Sequence, residues 1–540
     1  MKDTQQAFRM EDLLPCFDTF NENNEKQANN SVKTNDQEKR KQLRLAQKKS
    51  RKDRKLAAII RRNERLSRHP PTNYFVGKHK WLGGAVDPDS GIIYGIPSNS
   101  IEIICVHPPS SPSDESDDED SLKIPSNDSA IISKIPLPNE YKIGYFKWLR
   151  GIITNGYLYG IPAWSTNGVL KVRLQKSGKG RRVQVLPLPN LSHTEQTNSS
   201  ESAKLKGRVC NNGMHNSDPN LVRRDLWMWH GAGLSLTSSP AIYCIPSNVE
   251  RVLKIDILTD KLTEIGPVFT EGQNKWYGGI RGKDGCIYGV PYTASGVLRI
   301  DPSTDNVQVL GKFPIGGWKW HGGLMCPLNG VIYAFPAHAN TVLCVDTNPK
   351  PPCGRAGQFD DEEWRISTIP IHKHSNDNDP DDLRYKWLGG AYGADGCIYG
   401  MPSDASSILR IDPHHPDNRA VATTFGNVNV NDCNASPSVL LNKWQGGVLS
   451  PTDGCVYAVP ANANTVLKID TNPNTPLDIE YLDCNLARDS WFENTDYNNL
   501  EDKWQGGFLG RDGNIYGIPE CVDRVMKLTP GKGAKVDLIT

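Results

Sequence analysis

The sequence predicts an all-β fold, an eight-bladed β-propeller of four-stranded antiparallel blades, preceded by a basic N-terminal arm. One unit is repeated eight times: a Trp, a Gly pair, a turn, an aliphatic-Tyr-x-x-Pro strand and an aliphatic strand. A Tyr follows each Trp after 11 to 14 residues, and the shortest intervals between these tryptophans are 44 and 47 residues. Such a period is typical of a blade, whose apolar face only its neighbours can bury.

The repeated aromatic residues predict packing between blades, because each buries a large apolar area and recurs wherever the scaffold recurs. The tryptophans are Trp81, Trp148, Trp229, Trp276, Trp320, Trp387, Trp444 and Trp504. The tyrosines are Tyr94, Tyr159, Tyr243, Tyr288, Tyr333, Tyr399, Tyr457 and Tyr516.

The unit that begins at Lys275 shows how the strands follow from the residues. Asp284-Gly285 favours a tight hairpin, because both central residues tolerate positive φ. We expect strands over 275–280, 286–291, 297–301 and 307–310. Seven of the eight units keep the turn glycine, and the third, with Pro240, departs from it.

The Gly pairs are expected where the innermost strands crowd around the axis, since glycine lets neighbouring backbones approach closely. Ring closure has two possible routes. The last unit supplies its own fourth strand over 535–539 and packs end to end, or Tyr74-Phe75-Val76 adds the outer strand of the last blade.

The order of strands in residues 285–290 and 297–302 resembles that of kelch-type and of virginiamycin-lyase-like or regucalcin-like propellers. The resemblance implies a propeller architecture over roughly residues 72–540 and no particular site residue. The double Gly follows a Trp in the first strand here, whereas kelch units place it at the end of the second.

Charge divides the chain into three parts. Residues 1–38 are acidic, with a net charge of −4, and we expect them to be disordered. Residues 39–70 form a predicted helical basic arm, in which residues 39–68 carry a net charge of +12. The propeller, over 72–540, is mildly acidic and carries polar insertions at about 107–140, 174–226, 347–384, 413–441 and 471–501.

The basic arm predicts either a nuclear address or contact with the phosphates of a nucleic acid, because clustered cations release counterions from such a backbone. A merely solvated arm and a clamp on an acidic protein are the alternatives. The arm residues selected are Lys48, Lys49, Arg51, Lys52, Arg54, Lys55, Arg61 and Arg62.

No run of eighteen apolar residues and no secretory pattern occurs, so we expect no membrane span and a cytoplasmic or nuclear location. The cysteine count, 13, is odd, and several cysteines recur at one strand position, which indicates free and mostly buried thiols. No Cys-x-x-Cys pair is present. We expect neither a metal site nor a cofactor.

A lysine precedes the repeated Trp in seven of the eight units. These residues are predicted to ring the channel mouth and to bind an anionic partner. The alternative is that each lysine lies along a neighbouring Trp or pairs locally. The seven are Lys80, Lys147, Lys275, Lys319, Lys386, Lys443 and Lys503.

Departures from the repeat are the other candidate site residues, since the scaffold does not require them. Arg150 replaces the first Gly of its pair, and His230 and His321 directly follow the repeated Trp. Trp164 and His338 stand in the links after the second strands. Arg150 and Trp164 are predicted to bind a partner, and His230, His321 and His338 are the catalytic candidates of an anion or acid/base cluster.

These patterns favour a monomeric propeller that acts as an intracellular scaffold and binds a protein or an anionic partner through its insertion-rich face. A protein partner is the leading expectation. One alternative is a propeller enzyme, a lyase or hydrolase, with its site at the channel mouth. The other is an RNA-associated nuclear factor that uses the basic arm. Linear catalytic motifs are absent from the sequence, although propeller enzymes gather their residues from separate blades.

Overall fold

The computed structural model describes residues 75, 77–109, 129–142, 144–164, 168–174, 182–189, 226–349, 362–375, 377, 379–415, 419–428, 441–486 and 500–540. These residues form an all-β, eight-bladed propeller, and every strand lies in one compact unit, Asn73–Thr540. Short 3₁₀ turns occur at Asn139–Tyr141 and Glu362–Arg365. No helix in the described ranges has the length and apolar character of a membrane span.

Each blade contributes four consecutive antiparallel strands. Blade 1 comprises β1 (Trp81–Val86), β2 (Ile93–Pro97), β3 (Glu102–His107) and β4 (Ile131–Pro136). Blade 2 comprises β5 (Trp148–Thr154), β6 (Tyr157–Pro162), β7 (Gly168–Arg173) and β8 (Val183–Pro187). Blade 3 comprises β9 (Trp229–Ser235), β10 (Ala241–Pro246), β11 (Val252–Asp256) and β12 (Leu262–Ile265). Blade 4 comprises β13 (Trp276–Arg281), β14 (Ile287–Pro291), β15 (Val297–Asp301) and β16 (Asn306–Leu310).

The second half of the ring repeats this order. Blade 5 comprises β17 (Trp320–Met325), β18 (Val331–Pro336), β19 (Thr341–Asp346) and β20 (Ile366–His372). Blade 6 comprises β21 (Trp387–Tyr392), β22 (Ile398–Pro402), β23 (Ile408–Asp412) and β24 (Val421–Phe425). Blade 7 comprises β25 (Trp444–Leu449), β26 (Cys455–Pro460), β27 (Thr465–Asp470) and β28 (Asp478–Asp483). Blade 8 comprises β29 (Trp504–Leu509), β30 (Ile515–Pro519), β31 (Val525–Thr529) and β32 (Lys535–Ile539).

The blades close into a ring. The first strands of neighbouring blades lie side by side around the axis, and β29 lies next to β1. Blades 5 and 6 are also joined at their outer edges, where β20 and β24 pair in parallel and merge the two blades into one eight-stranded sheet. The predicted closure through the strand at 535–539 is confirmed, because β32 is the outer strand of blade 8.

Hydrophobic clusters lie between neighbouring blades at all eight junctions. Each repeated Trp packs into such a cluster and is at most 3% exposed. Its indole N–H donates to a backbone carbonyl at or just before the third strand of its own blade, at 2.7 to 3.1 Å. The predicted structural role of the Trp repeat is therefore confirmed.

The Asp of the Asp-Gly turns has a second structural role, in addition to favouring the turn. In four hairpins its carboxylate accepts a hydrogen bond from the hydroxyl of the repeated Tyr four residues later, at 2.6 to 2.8 Å. The pairs are Asp284 with Tyr288, Asp395 with Tyr399, Asp453 with Tyr457, and Asp512 with Tyr516. The turn and the second strand are thus held together by one contact.

The cysteines in the described ranges are free thiols, as predicted. Eight of these nine are buried, and Cys521 is partly exposed.

The two ends of the blades carry different connections. The links after the second strands and the connections from each fourth strand to the next first strand share one end, here called the mouth face. The fourth strands that precede the longest of these connections end there at Pro187, His372, Phe425 and Asp483. The connections from third to fourth strands leave from the opposite end, after His107 in blade 1 and after Asp346 in blade 5.

Candidate functional site

Every blade places a left-handed residue at the mouth face, two positions before its repeated Trp. These eight residues, here called the mouth residues, have φ between 48° and 60°. They are His79, Phe146, Trp227, Asn274, Trp318, Tyr385, Asn442 and Asp502. Left-handed backbone is uncommon for bulky side chains and is held only where the surrounding structure over-determines it.

Hydrogen bonds between blades hold part of this ring. At four junctions an Asn or Asp in the link after the second strand accepts the backbone N–H of the next mouth residue, at 2.7 to 2.8 Å. The donors and acceptors are Phe146 to Asn99, Asn274 to Asn248, Asn442 to Asp404, and Asp502 to Asn462. At three other junctions the equivalent link residue is Trp164, His338 or Cys521.

Aromatic rings replace that hydrogen bond over much of the mouth face. The ring centroids of Trp164 and Trp227 are 5.5 Å apart, and those of His338 and Tyr385 are 4.7 Å apart. Further ring contacts of 3.8 to 5.9 Å connect the set into one continuous arc, here called the aromatic belt. Its members are Phe146, Trp164, Trp227, His230, Tyr277, Tyr292, Trp318, His321, His338 and Tyr385.

Arg150 lies on the innermost strand of blade 2 with a left-handed backbone, φ 61°. In the other seven blades the equivalent residue is a glycine with φ between 70° and 101°. A side chain at this position strains the backbone, so the scaffold does not account for an arginine here. Its backbone lies against Gly83 of the neighbouring first strand, which places it beside the axis of the ring.

The Arg150 side chain is exposed, and within the described residues its guanidinium forms no hydrogen bond or ion pair. Surrounding protein nevertheless withdraws water from it and lowers its pKa from the usual value. Arg150 is therefore a cation without a counter-ion among the described residues, with protein close enough around it to lower its pKa. A cation close to protein of low dielectric attracts an anion more strongly than one in bulk water does.

His230 and His321 lie beside Arg150, with ring centroids 6.2 Å apart and Tyr277 between them. Burial and the positive charge of Arg150 lower the pKa of His321 to about 4 and that of His230 well below 6.5. Both imidazoles are neutral at pH 7. The Nδ1 atoms of both are buried and have no hydrogen-bond partner among the described residues. Arg150, His230, His321 and Tyr277 are here called the axial cluster.

The predicted group of Arg150, His321 and His338 is only partly brought together. Arg150 acts electrostatically on His321, whereas the ring of His338 packs against Trp318 at 5.7 Å and against Tyr385. Trp164 lies 4.4 Å from Phe146, between ring centroids, and its buried indole N–H finds no acceptor among the described residues. Both residues therefore belong to the aromatic belt.

The seven repeated lysines are buried, with exposures of 0 to 9%. Where the contacts are resolved, the ammonium groups donate to oxygens in the links around them, mostly backbone carbonyls, at 2.6 to 3.3 Å. The ammonium group of Lys147 donates to the carbonyl oxygens of Ser98 and Ser100. That of Lys443 donates to the carbonyls of Ser403 and Ala405, and that of Lys503 to the carbonyls of Asn462 and Leu500. Burial lowers the pKa of Lys147 and of Lys503 to about 8. The structure thus gives these lysines partners within the protein, and their predicted binding of an anion stays a prediction.

The residues of the basic arm, from Lys48 to Arg62, lie outside the described residues, so their predicted role also stays a prediction.

Sequence reasoning missed the mouth residues and Tyr292. The sequence does contain a signal, because the position two residues before the repeated Trp is often aromatic. It holds Phe146, Trp227, Trp318 and Tyr385. Reading that position across the repeat would have shown an aromatic surface, but its left-handed backbone has no sequence signature when the residue is not Gly, Asn or Asp.

Comparison with known proteins adds little to this geometry. No family model matches the chain, and no curated protein matches it. Solved propellers are similar at low identity. A streptogramin B lyase has 13% identity and a TM-score of 0.40, covering 72% of this chain and 93% of its own. Virginiamycin B lyase from Staphylococcus aureus has 11% identity and a TM-score of 0.40, covering 71% and 94%. The computationally designed Ika8 protein has 8% identity and a TM-score of 0.44, covering 86% and 98%.

Proposed function

We propose that this protein is a binding scaffold that holds an anionic group of a partner at the mouth face. The observation that carries the proposal is Arg150, a cation beside the axis of the ring, on a strained left-handed backbone and with no counter-ion among the described residues. Backbone strain of about 1–3 kcal/mol persists where function or surrounding structure retains it. Glycine at the same position in the other seven blades shows that the architecture does not require arginine.

The aromatic belt supports a partner whose anionic group is joined to a planar or apolar body. Tyr277 and Trp318 are partly exposed, and the buried ring of Tyr292 lies between them, with centroid separations of 4.5 and 5.4 Å. Such rings supply rigid contact area at low conformational cost. The guanidinium recognises carboxylate or phosphate oxygens through its planar fork of donors.

The test is a calorimetric titration with phenyl phosphate, inorganic phosphate and benzyl alcohol. We expect phenyl phosphate to bind more tightly than inorganic phosphate, and benzyl alcohol to bind least. Arg150→Gln should weaken phenyl phosphate binding at least about tenfold, since a hydrogen bond to a charged group contributes about 1.5–3 kcal/mol.

Arg281→Gln is the matched control, because Arg281 is an exposed arginine at the far end of an innermost strand. It should bind phenyl phosphate as the unmodified chain does. Equal affinity in Arg150→Gln and Arg281→Gln would contradict the proposal, as would a failure of both anions to bind.

A second function, hydrolysis or elimination at the axial cluster, is favoured by His230 and His321. Both imidazoles are neutral at pH 7 and their Nδ1 atoms have no hydrogen-bond partner among the described residues, so each can accept a proton, as a weak base because burial and Arg150 lower its pKa. We expect His321→Asn to abolish any hydrolysis of p-nitrophenyl phosphate or p-nitrophenyl acetate while phenyl phosphate still binds. Rates in the unmodified chain no higher than in buffer would leave binding as the function.

A further inference from the structure

The junction where the last blade meets the first carries three side chains with metal-ligating atoms. The Nδ1 atom of His79 lies 2.6 Å from Oε1 of Glu520 and 3.9 Å from Sγ of Cys521. One ligand atom from each residue lies within 4.8 Å of the other two. The Glu520 side chain is 7% exposed and that of His79 is 22% exposed, so the three atoms converge in a mostly enclosed space.

The repeat does not account for these residues. Glu520 and Cys521 occupy the two link positions that follow the second strand of blade 8. In the other seven links the first position is Ser, Ala or Tyr, and four of those links have Asn or Asp at the second position as the acceptor for the next mouth residue. A carboxylate beside a thiol, both facing a histidine, occurs at this junction in place of that acceptor.

The backbone on both sides of the cluster is fixed independently of any ligand. The N–H of Lys80 donates to the carbonyl of Glu520 at 3.0 Å, and the N–H of Cys521 donates to the carbonyl of Asp502 at 3.0 Å. The carbonyl of His79 accepts the N–H of Asn99, also at 3.0 Å. The three ligand-bearing residues are thus preorganised, which lowers the entropy cost of forming a site.

We propose that His79, Glu520 and Cys521 bind a divalent transition-metal ion, with zinc as the preferred ion, and that this ion joins blade 8 to blade 1. A nitrogen, oxygen and sulfur donor set suits zinc, with bond lengths of about 2.0 Å to nitrogen and oxygen and about 2.3 Å to sulfur. A tetrahedral ion with those bonds separates nitrogen from oxygen by about 3.3 Å and nitrogen from sulfur by about 3.6 Å.

The observed separations, 2.6 and 3.9 Å, reach those values through side-chain shifts of less than 1 Å. Without the ion, the imidazole and the carboxylate share a hydrogen bond. Metal binding displaces that proton and the proton of the thiol, so affinity should increase with pH. Three protein ligands leave one position for water or a substrate atom, as in zinc sites that are not closed.

The test uses the full chain, freed of metal by a chelator and titrated with Co²⁺ alone. We expect one equivalent of Co²⁺ to produce a thiolate-to-metal absorption band in the near ultraviolet together with visible bands of a tetrahedral ion, and Zn²⁺ to remove both. Cys521→Ser should lose the ultraviolet band. His79→Asn should weaken Co²⁺ binding at least about 100-fold, the upper end of the loss caused by removing an outer-shell partner.

His107→Asn is the control, because this histidine lies at the end of β3 and contacts Ser133. It should retain the full titration. The ultraviolet band of the unmodified chain tests the thiolate even if a variant fails to fold. An ultraviolet band that survives Cys521→Ser, or a chain that binds no Co²⁺, overturns the proposal. A chain that fails to bind phenyl phosphate would not contradict the proposed metal site, since the metal site and the anion site share no residue.

Discussion

At the residue scale, the informative positions are those where a side chain occupies backbone that favours glycine. Gly231 lies so close to the carbonyl of Gly278 on the neighbouring strand that a side chain there would collide with backbone. Gly446, by contrast, has open space where a Cβ would be, and it is constrained only by its φ of 72°. Arg150 resembles this second case. The propeller therefore tolerates a side chain at some positions beside the axis, where the only cost is backbone strain at positive φ.

Arg150→Gly should stabilise the protein. Glycine adopts the left-handed region without the Cβ penalty, so the free energy of unfolding should increase by about 1 kcal/mol. Gly446→Ala is the matched reverse change and should lower it by about the same amount. Denaturant titration measures both. If Arg150→Gly proves destabilising, packing or hydrogen bonds of the arginine outweigh the strain.

The axial cluster should also make stability depend on pH. The pKa of His321 is about 4 in the folded chain and about 6.5 in the unfolded chain. Between these values the unfolded chain binds more protons, so the stability due to His321 is present above pH 6.5 and is lost as pH falls towards 4. Because the ring is partly open to the channel, the loss should be on the order of 1–3 kcal/mol.

Denaturant titrations between pH 7 and pH 4 measure this loss. His321→Gln should show a shallower decline than the unmodified chain does, since carboxylates titrate equally in both. His372→Gln replaces an exposed histidine of β20 and should decline as the unmodified chain does. Identical declines for all three chains would show that His321 is not held neutral.

At the element scale, the link after each second strand organises the mouth face. In blade 7 the side-chain oxygen of Asn462 accepts the N–H of Asp502 at 2.8 Å, and its amide donates to the carbonyl of Leu441 at 2.6 Å. The backbone carbonyl of Asn462 accepts the buried ammonium of Lys503 at 2.7 Å. One short link thus binds the following blade through both its side chain and its backbone.

Asn462→Ala should therefore lower the free energy of unfolding by about 1–3 kcal/mol, because it leaves buried backbone groups of the mouth without partners. Asn306→Ala, at an exposed position of β16, should change it by less than about 0.5 kcal/mol. Chemical denaturation distinguishes the two. Equal effects would mean that the junction does not depend on the side-chain acceptor.

Local sequence predicted the strands well. In blade 4 the expected strands 275–280, 286–291, 297–301 and 307–310 differ from the observed ones by a residue at most at any end. Hairpin turns and alternation are local properties, so local residues specify them. The predicted anion site is a different kind of feature. It depends on which side chains from blades 2, 3, 4 and 5 face one axis, and on backbone conformations imposed by contacts between blades.

The repeated lysines show the same limit, because most of their partners lie on a neighbouring blade and local sequence does not specify them. Their charge predicted a cationic ring, which stays a prediction, and the structure adds that Lys147, Lys443 and Lys503 donate from their ammonium groups to carbonyl oxygens of the links. Buried lysines need such partners, because an unpaired charge away from water is costly. The repeat itself thus indicated that lysine matters in seven of the eight blades, and the contacts with the neighbouring blade showed why.

At the scale of the whole molecule, the ring is closed by both ends of the propeller. Strand β32 completes the sheet of blade 8, and in other blades the chain continues past the fourth strand towards the next blade. In blades 3 and 4 that continuation is Phe269 or Phe313, whose N–H bonds back to the link of the same blade and whose ring packs edge-on against the next Trp. Phe75 occupies this place for blade 8, with its N–H on the carbonyl of Asp523 and its ring 5.2 Å from Trp81.

Phe75 is 4% exposed and lies in the cluster shared by blades 8 and 1, so Phe75→Ala should lower the free energy of unfolding by about 3–5 kcal/mol. Phe269→Ala removes the equivalent ring in blade 3 and should cost less, because that ring is only partly buried, whereas Leu258→Ala, at a residue 67% exposed, should change little. A chain that begins at residue 77 should lose at least as much stability as Phe75→Ala, because it lacks the same ring and also the N–H of Phe75 that donates to the carbonyl of Asp523. Denaturant titration measures this: unchanged stability in the shortened chain would mean that β32 closes the ring unaided and that Phe75 has no part in joining blade 8 to blade 1.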